Sequence, residues 1–351
     1  MTTVFATLSI LLAIASAAYL QLPTFFLSLG YRWFHKYKLK RWVFRFFAVL
    51  SFLLFLFYQP GVWTLAGVGV PFSFLWIFSL INANPKVYIA LKEKDIVKSK
   101  ENSYSGDTEI LGYVDNNNNA ICYPLNELVK PRHLLNDTFL GVPLFVSYCM
   151  ACRSAMVYDP LAEGVRLHFE VLGVYRRNMV MRDTETGSIW QQGTGEAVCG
   201  KLTGKQLKYL PYQIMPIGEW LLLHPGSFIA KESHLVRDGI FSKDRLMKMM
   251  KITETLVAPG RTDLTGLPPR EKIFGIELNG KNKAYPVSEL QIGDRMFADN
   301  IGGVEITIRY NKTSNFFEAI EKISGRQIPV QSHWWFGWKE FHPETEIWKS
   351  K

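Results

Sequence analysis

Hydrophobic and polar positions divide the chain sharply near residue 85. Val4 to Leu29 contains no charged residue, and Phe46 to Pro85 is a second uncharged stretch with Gln59-Pro60-Gly61 at its middle. A helix needs roughly 20 apolar residues to cross a bilayer, so the first stretch predicts one span and the second predicts two helices joined by a tight turn. Cleavage at Ala15-Ser16-Ala17 is the competing reading, weakened because no basic segment precedes the apolar run. Residues 86–109 are lysine-rich and lack apolar periodicity, which suits a linker. From Ile110 the pattern changes to short apolar runs broken by turn residues: Ile110 to Val114, Ala120 to Leu125, Val142 to Tyr148, Ala155 to Tyr158, Val165 to Val174 and Met179 to Arg182. Such spacing predicts hairpins. Short helices are expected after Pro124 and Pro286 and near Ile217 to His224. The predicted fold class is mainly β (α+β), following an N-terminal membrane anchor.

This β-rich part is duplicated. Tyr123-Pro124-Leu125-Asn126-Glu127-Leu128, Asp137, Gly141-Val142 and Tyr148 recur without a gap, 162 positions later, as Tyr285-Pro286-Val287-Ser288-Glu289-Leu290, Asp299, Gly303-Val304 and Tyr310. Trp220, His224 and Pro225 recur 118 positions later as Trp338, His342 and Pro343, so the second copy lacks about 44 residues, the difference between the offsets. The organisation is therefore an anchor (1–85), a linker (86–109), a first repeat with an insertion (110–230), a connecting segment (231–270) and a shorter second repeat (271–351). The stretch without a counterpart covers roughly Ser154 to Val198. Both histidines are expected to stand at helix ends, where the carbonyls favour positive charge.

Charge changes the picture only for the anchor. The formal net charge is +9, and six basic residues of the first 85 (Arg32, Lys36, Lys38, Lys40, Arg41, Arg45) supply most of it, with no Asp or Glu among them. Basicity held in one short loop does not make a nucleic-acid face, so no nucleic-acid partner is expected. Arginine and lysine are retained on the cytoplasmic side, which puts the Tyr31 to Arg45 loop there. Three spans would return the β part to the same side, in agreement with Lys86, Lys92, Lys94, Lys98 and Lys100; two would leave it outside. Gly67, Gly69 and Pro71 leave a re-entrant form of Val62 to Ala83 open. The expectation is a multi-pass protein of the inner membrane with the lipid bilayer as partner.

Candidate chemistry sits in one copy only. Cys149 and Cys152 form a Cys-x-x-Cys on a turn, where the 162-residue offset gives Asn311 and Ser314 in the second copy. Thiols at this spacing can close a disulfide, exchange with a substrate disulfide, or share a soft metal. Met150 between them would add a thioether, so copper is the metal this set suggests. Arg177, with Arg176 beside it, could lower a thiolate pKa, and Asp183 or Glu196 could move a proton. Cys122 and Cys199 read as core thiols. No phosphate-cradling loop or serine nucleophile elbow appears. Against the redox or metal reading stands a static cysteine pair in a module that binds an unknown small molecule or protein, with the aromatics of His333-Trp334-Trp335-Phe336-Gly337-Trp338 as core or capture surface.

Taken together, Asn136-Asp137, Gly141-Val142-Pro143, Tyr148-Cys149-x-x-Cys152, Met179-Val180-Met181-x-Asp183-x-Glu185-Thr186-Gly187-Ser188-x-Trp190-x-Gln192 and Thr194-Gly195-Glu196-Ala197 resemble the bacterial domain of unknown function 3179 family. The resemblance extends over about Ile110 to Trp348 and carries no established activity. Similar sequences often have proline where Met150 stands, which touches the redox tuning of the pair. Relatives also often look exported or lipid-anchored, which opposes the cytoplasmic placement.

Overall fold

The computed structural model describes every residue except 82, 83, 237, 254 and 351. Three helices open the chain: α1 (Thr2–Ala17), α2 (Tyr37–Phe57) and α3 (Val62–Ile81), with the expected turn at Gln59 to Gly61. Among the described residues α3 alone is long and apolar enough to cross a membrane by length and composition; α1 is apolar but shorter. Helix α3 runs unbroken through Pro71. The first apolar stretch is not one helix to Leu29. It stops at Ala17, and the chain then makes three short turns of helix at Leu22–Phe25, Leu27–Leu29 and Tyr31–Trp33. Pro23 and the left-handed Gly30 (φ 66°) explain why helix does not continue there.

Buried arginines tie the three helices together at one end. Arg41 of α2 donates from Nε to the Ser16 carbonyl of α1 at 3.1 Å and from Nη2 to the Ser79 carbonyl of α3 at 2.6 Å, and Arg45 donates to Ser79 as well. The carbonyls at two helix C-termini are thus met by cationic donors, which the helix dipole favours.

Each repeat pairs a small sheet with a three-stranded meander. In the first, the sheet orders Gln213–Pro216, Glu109–Val114, Ala120–Pro124, Phe228–Glu232 and Ile96–Ser99; in the second it orders Gln331–Trp334, Lys272–Leu278, Lys281–Pro286 and Glu346–Ile347. Both place one parallel pair at the same point. The meanders are Leu134–Phe139, Val142–Cys149, Ser154–Asp159 and Met296–Ile301, Val304–Asn311, Phe316–Glu321. Shared polar residues hold the same bonds in both: Tyr123 donates to Asp137 and Tyr285 to Asp299, each at 2.8 Å, with Lys98 and Lys283 completing the two carboxylates. A buried tryptophan of each helix, Trp220 and Trp338, lies flat against a strand glycine and carries its histidine against its ring at 4.2 and 3.8 Å.

Two expected boundaries move. Residues 86–109 are not a bare linker: Leu91–Lys92 and Ile96–Ser99 add strands to the two sheets of the first repeat. The insertion begins after Asp159, because Ser154–Asp159 is the counterpart of Phe316–Glu321, 162 positions on. What the second copy lacks is a four-stranded sheet, Phe169–Tyr175, Asn178–Asp183, Ile189–Gln191 and Ala197–Cys199. Both faces of this sheet are buried. Phe169, Val171, Met181 and Trp190 face the first repeat, while Leu172, Tyr175, Val180 and Ile189 pack on Tyr19, Leu20, Phe34 and Tyr37 of the anchor. Thr24 Oγ1 donates to the Val174 carbonyl at 2.7 Å and Tyr175 donates to the Leu27 carbonyl at 2.7 Å across the same contact.

The tryptophan seats predict matched sensitivity in the two repeats. A Cβ at Gly112 or Gly275 would stand 2.4 Å from the Trp220 or Trp338 ring, whereas one at Gly226 meets nothing within 4 Å. Gly112→Ala and Gly275→Ala should each cost about 1–3 kcal/mol by overpacking, and Gly226→Ala should cost far less, as read from denaturant unfolding of the detergent-solubilised protein.

Candidate functional site

Strands Val142–Cys149 and Ser154–Asp159 are joined by the turn Met150–Arg153, so Cys149 and Cys152 lie at the closed end of a hairpin, as the sequence pattern predicts. Arg153 closes it in the left-handed region (φ 52°). Both cysteines are free and almost wholly buried, at 1% and 0% exposure. Their surroundings are polar on one side. Asn178 donates from Nδ2 to the Cys152 sulfur at 3.0 Å, and Ser154 Oγ is 3.1 Å from the same sulfur. Gln192 fixes both neighbours: its Oε1 accepts from Ser154 Oγ at 2.9 Å and from Asn178 Nδ2 at 2.9 Å, while Asn178 Oδ1 accepts from Gly193 N and Gln191 Nε2. Asn178 and Gln192 come from the inserted sheet.

The second repeat closes the site from the other side. Trp334 N donates to the Cys152 carbonyl at 2.9 Å, the Arg153 guanidinium stacks on the Trp334 ring, and the His333 ring stands beside the Cys152 sulfur. His333 is 3% exposed, is held by Gln331 Oε1 at 3.0 Å through Nε2, and has no hydrogen-bond partner at Nδ1. Gly337 permits this approach, since a Cβ there would come within 2.4 Å of Cys152 Cβ.

Burial and hydrogen bonding act oppositely on the two thiols. For Cys149 burial dominates and, with the neighbouring Cys152, pushes the thiol up, although the amides of Cys152 and Met179 point at its sulfur. Burial presses Cys152 the same way, but donation from Cys149 together with His333 and Ser154 overcomes it and holds Cys152 below the ordinary thiol value.

The other expected site residues lie apart from the sulfurs. Arg177 spends its charge on the buried Glu340 at 3.0 Å and on the Thr262 carbonyl, and Arg176 pairs with the same carboxylate at 2.8 Å, so neither cation is directed at a thiolate. Asp183 is buried in its own turn, accepting from Thr186, Gly187 and Trp190 Nε1. Glu196 is exposed beside Tyr31 and Arg176. Met150 packs into the hydrophobic cluster of Leu128 and Val146, a different cluster from that of Cys149 and Cys152. Among the described residues no group of three or more His, Cys, Asp or Glu is placed to hold a metal ion. Cys122 is a core thiol pushed up to about 12 by burial, whereas Cys199 is only partly buried. Trp335, Phe336 and Trp338 are core, as expected. The sequence reading passed over His333, Gln192 and Ser154 as site residues and named Asn178 only as part of the insertion. One signal was present: the 118-residue offset sets His333 opposite Met215, a polar residue where the other copy is apolar.

The sequence matches the profile described as "Protein of unknown function (DUF3179)" over residues 90–324, about two-thirds of the chain. The chain belongs to the DUF3179 family. Its matched stretch contains the cysteines, Asn178 and Gln192, and it ends before His333. No curated protein matches the chain, and no solved structure does.

Two buried histidines near this core set a pH dependence. Burial lowers His133 from 6.5 to about 4 against the raising influence of the Pro131 carbonyl, and burial with the nearby His333 lowers His342 to about 3. The unfolded chain therefore binds more protons, and stability that is complete above pH 6.5 falls as pH drops toward 4. For His133 the displacement corresponds to about 3 kcal/mol. Unfolding midpoints should fall between pH 7.5 and pH 5, with a shallower fall in His133→Gln; a midpoint independent of pH would exclude this coupling.

Proposed function

We propose that the protein is a membrane-anchored dithiol–disulfide oxidoreductase working through Cys149 and Cys152. The carrying observation is the Cys152 sulfur itself, which receives the Asn178 amide and is flanked by Ser154, Cys149 and His333. A purely structural pair would be served by an apolar seat, whereas the Asn178 amide favours the anionic sulfur that exchange chemistry needs.

The dithiol releases one proton to solvent, and the pair then shares the other. Its passage from Cys149 to Cys152 makes Cys149 the attacking thiolate, which adds to one sulfur of a substrate disulfide and expels the other as a thiolate. His333 is placed to take the proton from Cys152, whose sulfur then attacks Cys149 in the mixed disulfide. The Cys149–Cys152 bond forms, the substrate leaves as two thiols, and these carry the balance of the two protons of the dithiol, one of them by way of solvent. The reverse sequence oxidises a substrate dithiol. A soft-metal site is the weaker reading, because among the described residues no third His, Cys, Asp or Glu joins the two cysteines as a ligand.

We further propose that α1, α2 and α3 span the inner membrane together, with the basic end in the cytoplasm. The outward residues of α2 and α3, including Phe46, Leu53, Trp63 and Phe74, are more than half exposed and apolar, as a lipid-facing surface requires. The end closed by Arg41 and Arg45 is the end that meets the β-rich part. Loop and domain then share one side, in accord with retention of positive charge.

Equilibration with glutathione buffers should convert two of the four thiols into one Cys149–Cys152 disulfide, mapped by mass spectrometry and absent from Cys149→Ser and Cys152→Ser. Asn178→Leu should slow its formation about ten-fold, matching a lost hydrogen bond to a charged sulfur. Four thiols unchanged at every potential would end the redox reading, and stoichiometric copper lost in the double variant would favour the metal. For topology, Gln59→Cys should react with an impermeant maleimide in intact cells and Ile323→Cys only after permeabilisation; the opposite pattern would reverse the orientation.

A further inference from the structure

A pocket of about 280 Å³ lies where the anchor meets the first repeat, and the cysteine hairpin forms part of its wall. Leu20 and Phe25 line it from the segment just after α1, Val171 and Met179 from the inserted sheet, and Cys149 and His133 from the first repeat. Among the described residues that line it there is no Asp, Glu, Lys or Arg. Phe25 and Leu256, 69% and 61% exposed, stand at its rim. The size suits the ring of a small molecule, and the lining suits one that is mostly apolar.

The pocket is not wholly hydrocarbon. His133 is 6% exposed, and its ring packs at a tilt of 53° against that of Tyr88, which also lines the cavity. A neutral imidazole carries one N–H donor, which suits a carbonyl oxygen rather than an anion. Three features therefore coincide: an apolar chamber opening beside the membrane segment, a neutral hydrogen-bond donor within it, and at its wall the cysteine that hands two electrons to a partner.

We propose that this pocket takes a membrane-borne quinone, which the Cys149–Cys152 dithiol reduces to the hydroquinone. The inference rests on the dithiol reading above. The step balances: two S–H bonds break, one S–S bond forms, and the two electrons and two protons appear on the two quinone oxygens. Two thiols of the aqueous phase restore the dithiol by exchange and leave joined as one disulfide. The ring lies against Cys149, one carbonyl faces His133, and the apolar tail leaves past Phe25 toward the bilayer.

The test uses the full chain in nanodiscs, reduced and anaerobic, with a fully substituted benzoquinone bearing a decyl tail, whose ring has no open position for thiol addition. One quinone should be lost for each Cys149–Cys152 disulfide formed. Val174→Trp, which narrows the pocket away from the sulfurs, should slow quinone reduction at least ten-fold while leaving disulfide formation with oxidised glutathione unchanged. Leu256→Asp, at an exposed rim position, gives the same readout should Val174→Trp fold poorly. Disulfide formation with glutathione but none with quinone, or quinone reduction equally fast in both pocket variants, overturns the quinone assignment and leaves the dithiol reading standing. Failure with both oxidants overturns the two together.

Discussion

The inserted four-stranded sheet is the part on which the rest of the molecule depends, because both of its faces must be covered. A sheet alternates its side chains, so one buried face obliges a core and two oblige a sandwich. Here the first repeat covers one face through Phe169, Val171, Met181 and Trp190, and the N-terminal segment covers the other through Tyr19, Leu20, Phe34 and Tyr37. The second repeat has neither the sheet nor an anchor beside it. The insertion thus binds anchor to domain, and in the same step brings Asn178 and Gln192 to the cysteine turn.

Duplication explains why the site is asymmetric and yet uses both halves. The tyrosine–aspartate pairs and tryptophan seats recur because they hold the shared scaffold, in which a buried polar group without a partner is costly. The candidate site gathers positions where the halves differ: sulfur at 149 and 152 against Asn311 and Ser314, and imidazole at 333 against Met215. Packing the second repeat on the hairpin turn through Trp334 and Gly337 joins these differences into one environment.

Much of the architecture was legible along the chain. Short apolar runs mark most of the strands to within a residue or two, although Val165 to Val174 divides into Val165–Arg166 and Phe169–Tyr175, and two offsets reveal the repeats and the missing segment. The errors have identifiable causes. Absence of charge was read as continuous helix to Leu29, although Pro23 and Gly30 interrupt it. Lysine content was read as a linker at 86–109, although edge strands tolerate lysine and two of them lie there. Arg177 and Asp183 were drawn toward the cysteines by proximity in sequence, whereas Glu340 from the distant repeat and a local turn had first claim on them.

The sequence by itself determined the division into an apolar N-terminal part and a β-rich part, the doubling of the latter, and the confinement of the Cys149 and Cys152 pair to one copy, since each is written in local composition or in self-similarity. Tertiary structure alone decided which groups meet those sulfurs. Asn178 stands 26 positions from Cys152 and His333 stands 181 away. No periodicity within one strand or turn encodes such a meeting; it follows from how a doubly buried sheet and a second repeat close around one hairpin.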